Sequence, residues 1–165
     1  MDRSTTTDED RADRIAELAQ GLGVRIALAE SLTAGRISAV LGRGQAASDW
    51  YCGAVVAYDA EVKFSVLGVT RGPVVTDRCA REMAVGVRRL LDADLALGIT
   101  GVGGPGPDEG CPPGTVHLAV AGPDGVESQH VVLDGDPAEV VQAATSLALD
   151  EIVGALVSRS TAPRR

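Results

Sequence analysis

The apolar positions along the chain follow two alternating rhythms. RADRIAELAQGLG (11–23) sets Ile15, Leu18, Ala19 and Leu22 at helical spacing, with Gly21 and Gly23 to end the helix. VRIALAE (24–30) is a short apolar run that predicts a strand, and SLTAGRISAVLG (31–42) returns to helical spacing with Ile37, Val40 and Leu41 inward. YCGAVVAY (51–58) predicts a second strand, and DAEVKFSVLGV (59–69) a short helix or turn closed by Gly68. Thr76 is expected to cap a helix over DRCAREMAVGVRRLL (77–91), whose Met83, Val87, Leu90 and Leu91 form one stripe. DLALGIT (94–100) reads as a buried strand. GTVHLAVAG (114–122) and GVESQHVVL (125–133) meet at Pro-Asp-Gly and read as a hairpin. Asp136, Pro137 and Glu139 supply a cap, a first-turn proline and a capping-box acid for a final helix of roughly 137–157.

Strands alternating with helices, plus one hairpin, predict an α/β protein: a three-layer α/β/α sandwich with a mixed β-sheet. One domain is expected over 8–157, with loose tails at 1–7 and 158–165 and no internal repeat. In open sheets of this kind, sites gather at the carboxyl ends of strands. Three such ends are chemically rich: AES at 29–31, AYDAEVK at 57–63 and ITGVGGPG at 99–106.

Composition narrows the classes. With 165 residues, 45% of them hydrophobic, the chain can bury a proper core, and one Trp, two Tyr and one Phe leave that core to Val, Leu, Ile and Ala. A net charge of −8 argues against nucleic acid as a partner, because phosphate backbones are bound with Lys and Arg. No apolar run is read as a membrane span, and MDRSTTTDED lacks the positive flank and apolar stretch of a signal peptide. A cytoplasmic protein without a membrane partner is expected. Cys52, Cys79 and Cys111 read as buried or free thiols, not as a disulfide frame or a zinc site.

Thr100 to Val116, TGVGGPGPDEGCPPGTV, carries the strongest local signal. Gly101, Gly103 and Gly106 spell G-x-G-x-x-G after a strand, but Pro105, Pro107, Pro112 and Pro113 forbid the helix that a dinucleotide fingerprint requires. Bare amides in such a loop can instead cradle an anion or line a pocket. In ESLTAG, Ser31 is either the cap of the next helix or a hydroxyl placed at a strand end for chemistry, and the pattern leaves both open. Lys63 is either a solvated lysine or a partly buried one that can serve as base toward a serine, with Asp59 and Glu61 opposing its deprotonation. Tyr58 either lends a hydroxyl there or packs at the strand end. His117 and His130 are expected as structural cross-strand neighbours.

AESLTAG, the V-V-A-Y…K run at 55–63, TGVGGPG and PPGTV stand in the order and spacing of the CinA C-terminal domain family, which the chain resembles over about residues 8–157. The resemblance implies a metal-independent amidohydrolase, without cofactor, that deamidates nicotinamide mononucleotide to nicotinate mononucleotide and ammonia in pyridine nucleotide recycling. Carried over, Lys63 is the base, Ser31 and Ser48 are the two nucleophile candidates, and Tyr58 belongs to the same pocket. Glu30, Thr33, Gly35, Thr100, Gly101, Gly103 and Gly104 are the expected substrate-binding positions. A small nucleotide is the implied substrate, and a homodimer or higher homo-oligomer the expected assembly. The chain departs from the family pattern at Leu32 and Ala34 (family E-S-C-T-G-G). It departs again at Ala60, where the family has asparagine, and at Pro137 and Val141, where the family carries arginine; the alternatives are a catalytically degenerate relative that binds a nucleotide or assembles with a partner, and an amidohydrolase for a different amide.

Overall fold

The structure is a computed structural model that describes residues 6–162. Its five strands are β1 (Ile26–Glu30), β2 (Tyr51–Val56), β3 (Leu95–Gly101), β4 (Thr115–Gly122) and β5 (Gly125–Val132), in the spatial order β2-β1-β3-β4-β5. β1 pairs parallel with β2 and β3, while β3–β4 and β4–β5 are antiparallel, so the sheet is mixed. The helices are α1 (Asp8–Leu22), α2 (Arg36–Leu41), α3 (Ala47–Trp50), α4 (Ala60–Ser65), α5 (Asp77–Leu90) and α6 (Pro137–Thr161). This is the expected α/β/α arrangement.

Strand alternation decides what covers each face. Ile26 and Leu28 of β1, with Leu95, Leu97 and Ile99 of β3, point into a core shared with α1, α2 and α6. Ala27, Ala29 and Ala96 point the other way, against Cys79, Met83 and Val87 of α5. Small residues on this second face let α5 lie close. A Cβ on Gly98 would stand 2.5 Å from the Ala80 carbonyl oxygen, so only glycine fits there.

Several local expectations are corrected. α1 starts earlier, at Asp8, because Thr7 and Asp10 form a capping box; the helix then continues through Gly21 and ends at Gly23 in left-handed geometry. Residues 31–35 form a turn, so α2 is shorter than expected and starts at Arg36. α6 runs to Thr161, which makes 158–161 helix and not tail, and Thr7 is the N-cap of α1; of the expected tails, 1–5 and 163–165 fall outside the described residues. Leu90 is exposed at the last residue of α5, and Leu91 is half-buried. α6 is also long and apolar enough, by length and composition, to cross a membrane; here Val140, Ala144, Ala148, Leu149, Ile152 and Leu156 are buried in the core shared with α1 and the sheet. Thr76, Asp136 and Glu139 do cap α5 and α6 as their sequence positions predict.

Candidate functional site

The carboxyl ends of β1, β2 and β3 meet at one edge of the sheet. Glu30 pairs with Val56 on one side and Ile99 on the other. The ladder extends one step further: Ser31 N–H donates to the Ile99 carbonyl (3.1 Å) and Ala57 N–H to the Glu30 carbonyl (2.8 Å). Ser31, Ala57 and Thr100 therefore lie side by side. By alternation, Ser31 faces the α5 side, as Ala27 and Ala29 do. Ser31 is 7% exposed and Thr100 1%. Ser31 does not cap α2: its N-cap is Gly35, which has no side-chain cap. Among the described residues the Ser31 hydroxyl takes no hydrogen bond, so it is free for a ligand.

Lys63 reaches this edge from α4. Asp59 caps that helix by accepting from Glu61 N–H (2.7 Å), and the fourth helical residue turns inward. Lys63 is 1% exposed, and its Nζ donates to the carbonyls of Ala57 (2.6 Å) and Tyr58 (3.3 Å). Burial lowers its pKa from the ordinary lysine value, against the opposing pull of Cys79, Asp59 and Glu109. The competition left open in the sequence is decided for burial. Glu61 takes no part in it, because its carboxylate pairs with Arg71 at the surface (2.7 Å). Cys79 is itself buried, and its thiol is pushed up to about 11 by desolvation, so it stays neutral beside the lysine.

Glu30 has a structural task. Its buried carboxylate accepts from the Thr33 hydroxyl (2.7 Å), Ile37 N–H (3.1 Å) and Ser38 N–H (2.9 Å). That satisfies free donors at the start of α2 and pins the turn holding Ser31. Gly35 and Ala34 complete the turn in left-handed conformations, φ 94° and 50°. Gly101 lies where a Cβ would stand 2.3 Å from the Thr115 carbonyl oxygen, whereas Gly103 borders open space. Gly104 packs beneath Pro113 and Pro137.

Two expected site residues stand apart. Tyr58 is 70% exposed, so its ring is at the rim. Ser48 is exposed in α3, just before β2, at the amino end of the parallel strands. At about 3.3 Å per residue, the six residues of β2 put it roughly 20 Å from the Ser31 edge within one chain. His117 and His130 are cross-strand partners with rings stacked at 4.5 Å. Two concavities, about 630 Å³ beside the β4–β5 hairpin and about 570 Å³ between α1, α2 and α6, include neither Ser31 nor Lys63.

The sequence did not single out Glu109 or Val74. Thr100 Oγ1 donates to the Val74 carbonyl (2.9 Å), and the Glu109 carboxylate accepts from Val74 N–H (2.9 Å) and Val75 N–H (2.7 Å). The only available signal was an acidic residue inside a loop of Gly and Pro.

The family model for the CinA C-terminal domain matches residues 8–156. A CinA-like protein of Frankia casuarinae is 42% identical over 130 residues, 76% of this chain and 30% of its own length. A CinA-like protein of Fervidobacterium nodosum is 32% identical over 149 residues, 87% of this chain and 36% of its own. The chain thus spans about a third of the length of these curated relatives. The crystal structure of a competence-damaged protein (CinA) superfamily protein from Enterobacter cloacae superposes with a TM-score of 0.90 at 30% identity, covering 94% of this chain and 96% of that one. The competence/damage inducible protein CihA from Agrobacterium tumefaciens gives 0.85 at 29% identity, covering 94% and 99%.

Proposed function

The chain belongs to the CinA C-terminal domain family, and from that premise we propose that it is a metal-independent amidohydrolase that converts nicotinamide mononucleotide and water to nicotinate mononucleotide and ammonia. The observation that carries the reading is a buried lysine of lowered pKa at the strand edge where a free serine hydroxyl emerges.

Neutral Lys63 takes the proton of Ser31 as the serine oxygen attacks the carboxamide carbon. The oxygen of the tetrahedral intermediate gains negative charge. Amides of the turn just past Ser31, at Leu32 and Thr33, and of Gly103 and Gly104 are the donors proposed to hold it. When the intermediate collapses, the C–N bond breaks and the Lys63 ammonium returns the proton to the departing nitrogen, which leaves as ammonia. Water then attacks the Ser31 ester, with Lys63 again as base, to release the acid. The pyridinium ring withdraws electrons from the carboxamide and eases the first attack. Burial of Lys63 supports its role, because a base must be neutral near working pH to accept a proton.

Pro137 and Val141, where the family has arginine, favour a second reading in which the amide substrate carries no phosphate. One experiment separates the two: ammonia release from the nucleotide and from its nucleoside, with wild type, Ser31→Ala and Lys63→Ala. Release from the nucleotide that is lost in both variants is the expected result. Release from the nucleoside alone favours the second reading, and release from neither overturns the amidohydrolase for these substrates.

A further inference from the structure

Glu109 adopts a left-handed backbone (φ 49°) in the Gly/Pro loop, and its carboxylate turns back onto the segment that leads into α5. It accepts from Val74 N–H at 2.9 Å and from Val75 N–H at 2.7 Å. The Val74 carbonyl accepts from Thr100 Oγ1 at 2.9 Å. The backbone at Val74 is thus held at its N–H by a loop carboxylate and at its carbonyl by a hydroxyl at the end of β3. The loop's own turn is closed by paired bonds between Asp108 and Cys111, Asp108 N–H to the Cys111 carbonyl (3.1 Å) and Cys111 N–H to the Asp108 carbonyl (2.8 Å), which presents Glu109 at its tip.

We infer that Glu109 is a positioning residue of the candidate site: its carboxylate latches the Gly/Pro loop onto the entry of α5, and through Val74 it fixes Thr100 beside Ser31. A carboxylate on two backbone donors is a charge-assisted clamp, stronger than a neutral contact. It ties the Gly/Pro loop to this edge beside the weaker contact of the Cys111 Sγ with the Val75 carbonyl at 4.0 Å.

The latch also sets a charge in the field of Lys63. The groups that act on Lys63 are Cys79 from α5, Asp59 from the start of α4 and Glu109 from the loop. Cys79 is a neutral thiol, so Asp59 and Glu109 supply the negative charge. Both favour the ammonium form and oppose burial. Removing the Glu109 charge leaves burial less opposed, and Lys63 then loses its proton at lower pH.

The consequence for turnover rests on the amidohydrolase reading; the latch itself does not. Two readouts therefore run together on the full chain: hydrogen exchange at the Val74 and Val75 amides, and the pH dependence of kcat/KM. Glu109→Ala should raise exchange at both amides by about tenfold or more, the loss of a charge-assisted bond at each. Glu109→Gln should raise it less, and Glu109→Asp should restore part of the protection. The acid limb of kcat/KM should move to lower pH in Glu109→Gln, a change that a loop tie with no effect on Lys63 would not produce. Unchanged amide exchange in Glu109→Ala overturns the latch. An unmoved acid limb overturns its action on Lys63. Absent ammonia release by wild type counts against the amidohydrolase alone, since amide exchange still decides the latch.

Discussion

The Nζ of Lys63 donates to the main-chain carbonyl of Ala57 at 2.6 Å, so a lysine from α4 closes back beneath the end of the preceding strand. Carbonyls satisfy donors without titrating. The charge is thereby hydrogen-bonded but, among the described residues, not neutralised by a contacting carboxylate, and burial keeps its pKa below the ordinary value of 10.5.

That pairing makes stability depend on pH in a defined sense. Because the folded pKa is depressed, the unfolded chain binds more protons in the interval between it and 10.5, so folding gains stability as pH rises through that interval. Lys63→Met removes the titrating group. The urea midpoint of the methionine variant minus that of wild type should therefore shrink between pH 7 and pH 10. A constant difference across that range would show that Lys63 has the same pKa folded and unfolded.

Ser31 and Ser48 respond differently because they stand at opposite ends of the parallel strands. Ser31→Ala should lower ammonia release by at least about 10³-fold with folding intact, as expected for loss of a nucleophile. Ser48 is exposed and distant from Lys63 within the chain. Ser48→Ala should stay within about threefold of wild type, a change of under 1 kcal/mol. A large loss in Ser48→Ala alone would move the nucleophile to that serine and require a second chain to bring it to Lys63.

The balance between legible and hidden features follows the range of the interactions. The caps at Thr76 and at Asp136 with Glu139 were readable because donor and acceptor lie three residues apart. The hairpin was readable from Pro-Asp-Gly between alternating runs. The start of α2 was not, because its donors are taken by Glu30, seven and eight residues upstream, and no local pattern encodes that reach. Four-residue α3 is shorter than any helical periodicity. In the candidate site, Ser31 and Thr100 were legible as strand-end polar residues and Lys63 as a lysine just past a strand end. The fate of Glu61 was not, since its pairing with Arg71 lies ten residues away, across the end of α4 and the irregular chain that follows it. Glu109 was hidden for the same reason: its partners lie 34 and 35 residues away.

Glu30 offers a test of the frame that holds Ser31. Its carboxylate is fully buried and serves three donors. Glu30→Ala would leave those donors unpaired and open a cavity, at about 2–4 kcal/mol of stability. Glu30→Gln keeps the shape and part of the bonding and should cost less, about 1–2 kcal/mol. Chemical denaturation checks both, and a loss below about 0.5 kcal/mol in the alanine variant would mean that water replaces the carboxylate at the start of α2.

Ala34 gives the opposite sign. It holds φ 50° in the turn between Ser31 and α2, a left-handed conformation in which a Cβ crowds the backbone. The strain is about 1 kcal/mol for a non-glycine residue, and glycine relieves it. Against that gain, glycine widens the unfolded ensemble by about 0.4–1 kcal/mol. Ala34 is exposed, so the methyl loses little packing when removed. Ala34→Gly should therefore be neutral to stabilising, by up to about 0.5 kcal/mol, where alanine-to-glycine changes elsewhere on the surface usually destabilise. The change also brings the turn to the family's own E-S-x-T-G-G pattern. A loss above about 1 kcal/mol on thermal or urea unfolding would show that the turn around Ser31 relaxes out of the left-handed region and that its geometry is set by something other than the Glu30 clamp.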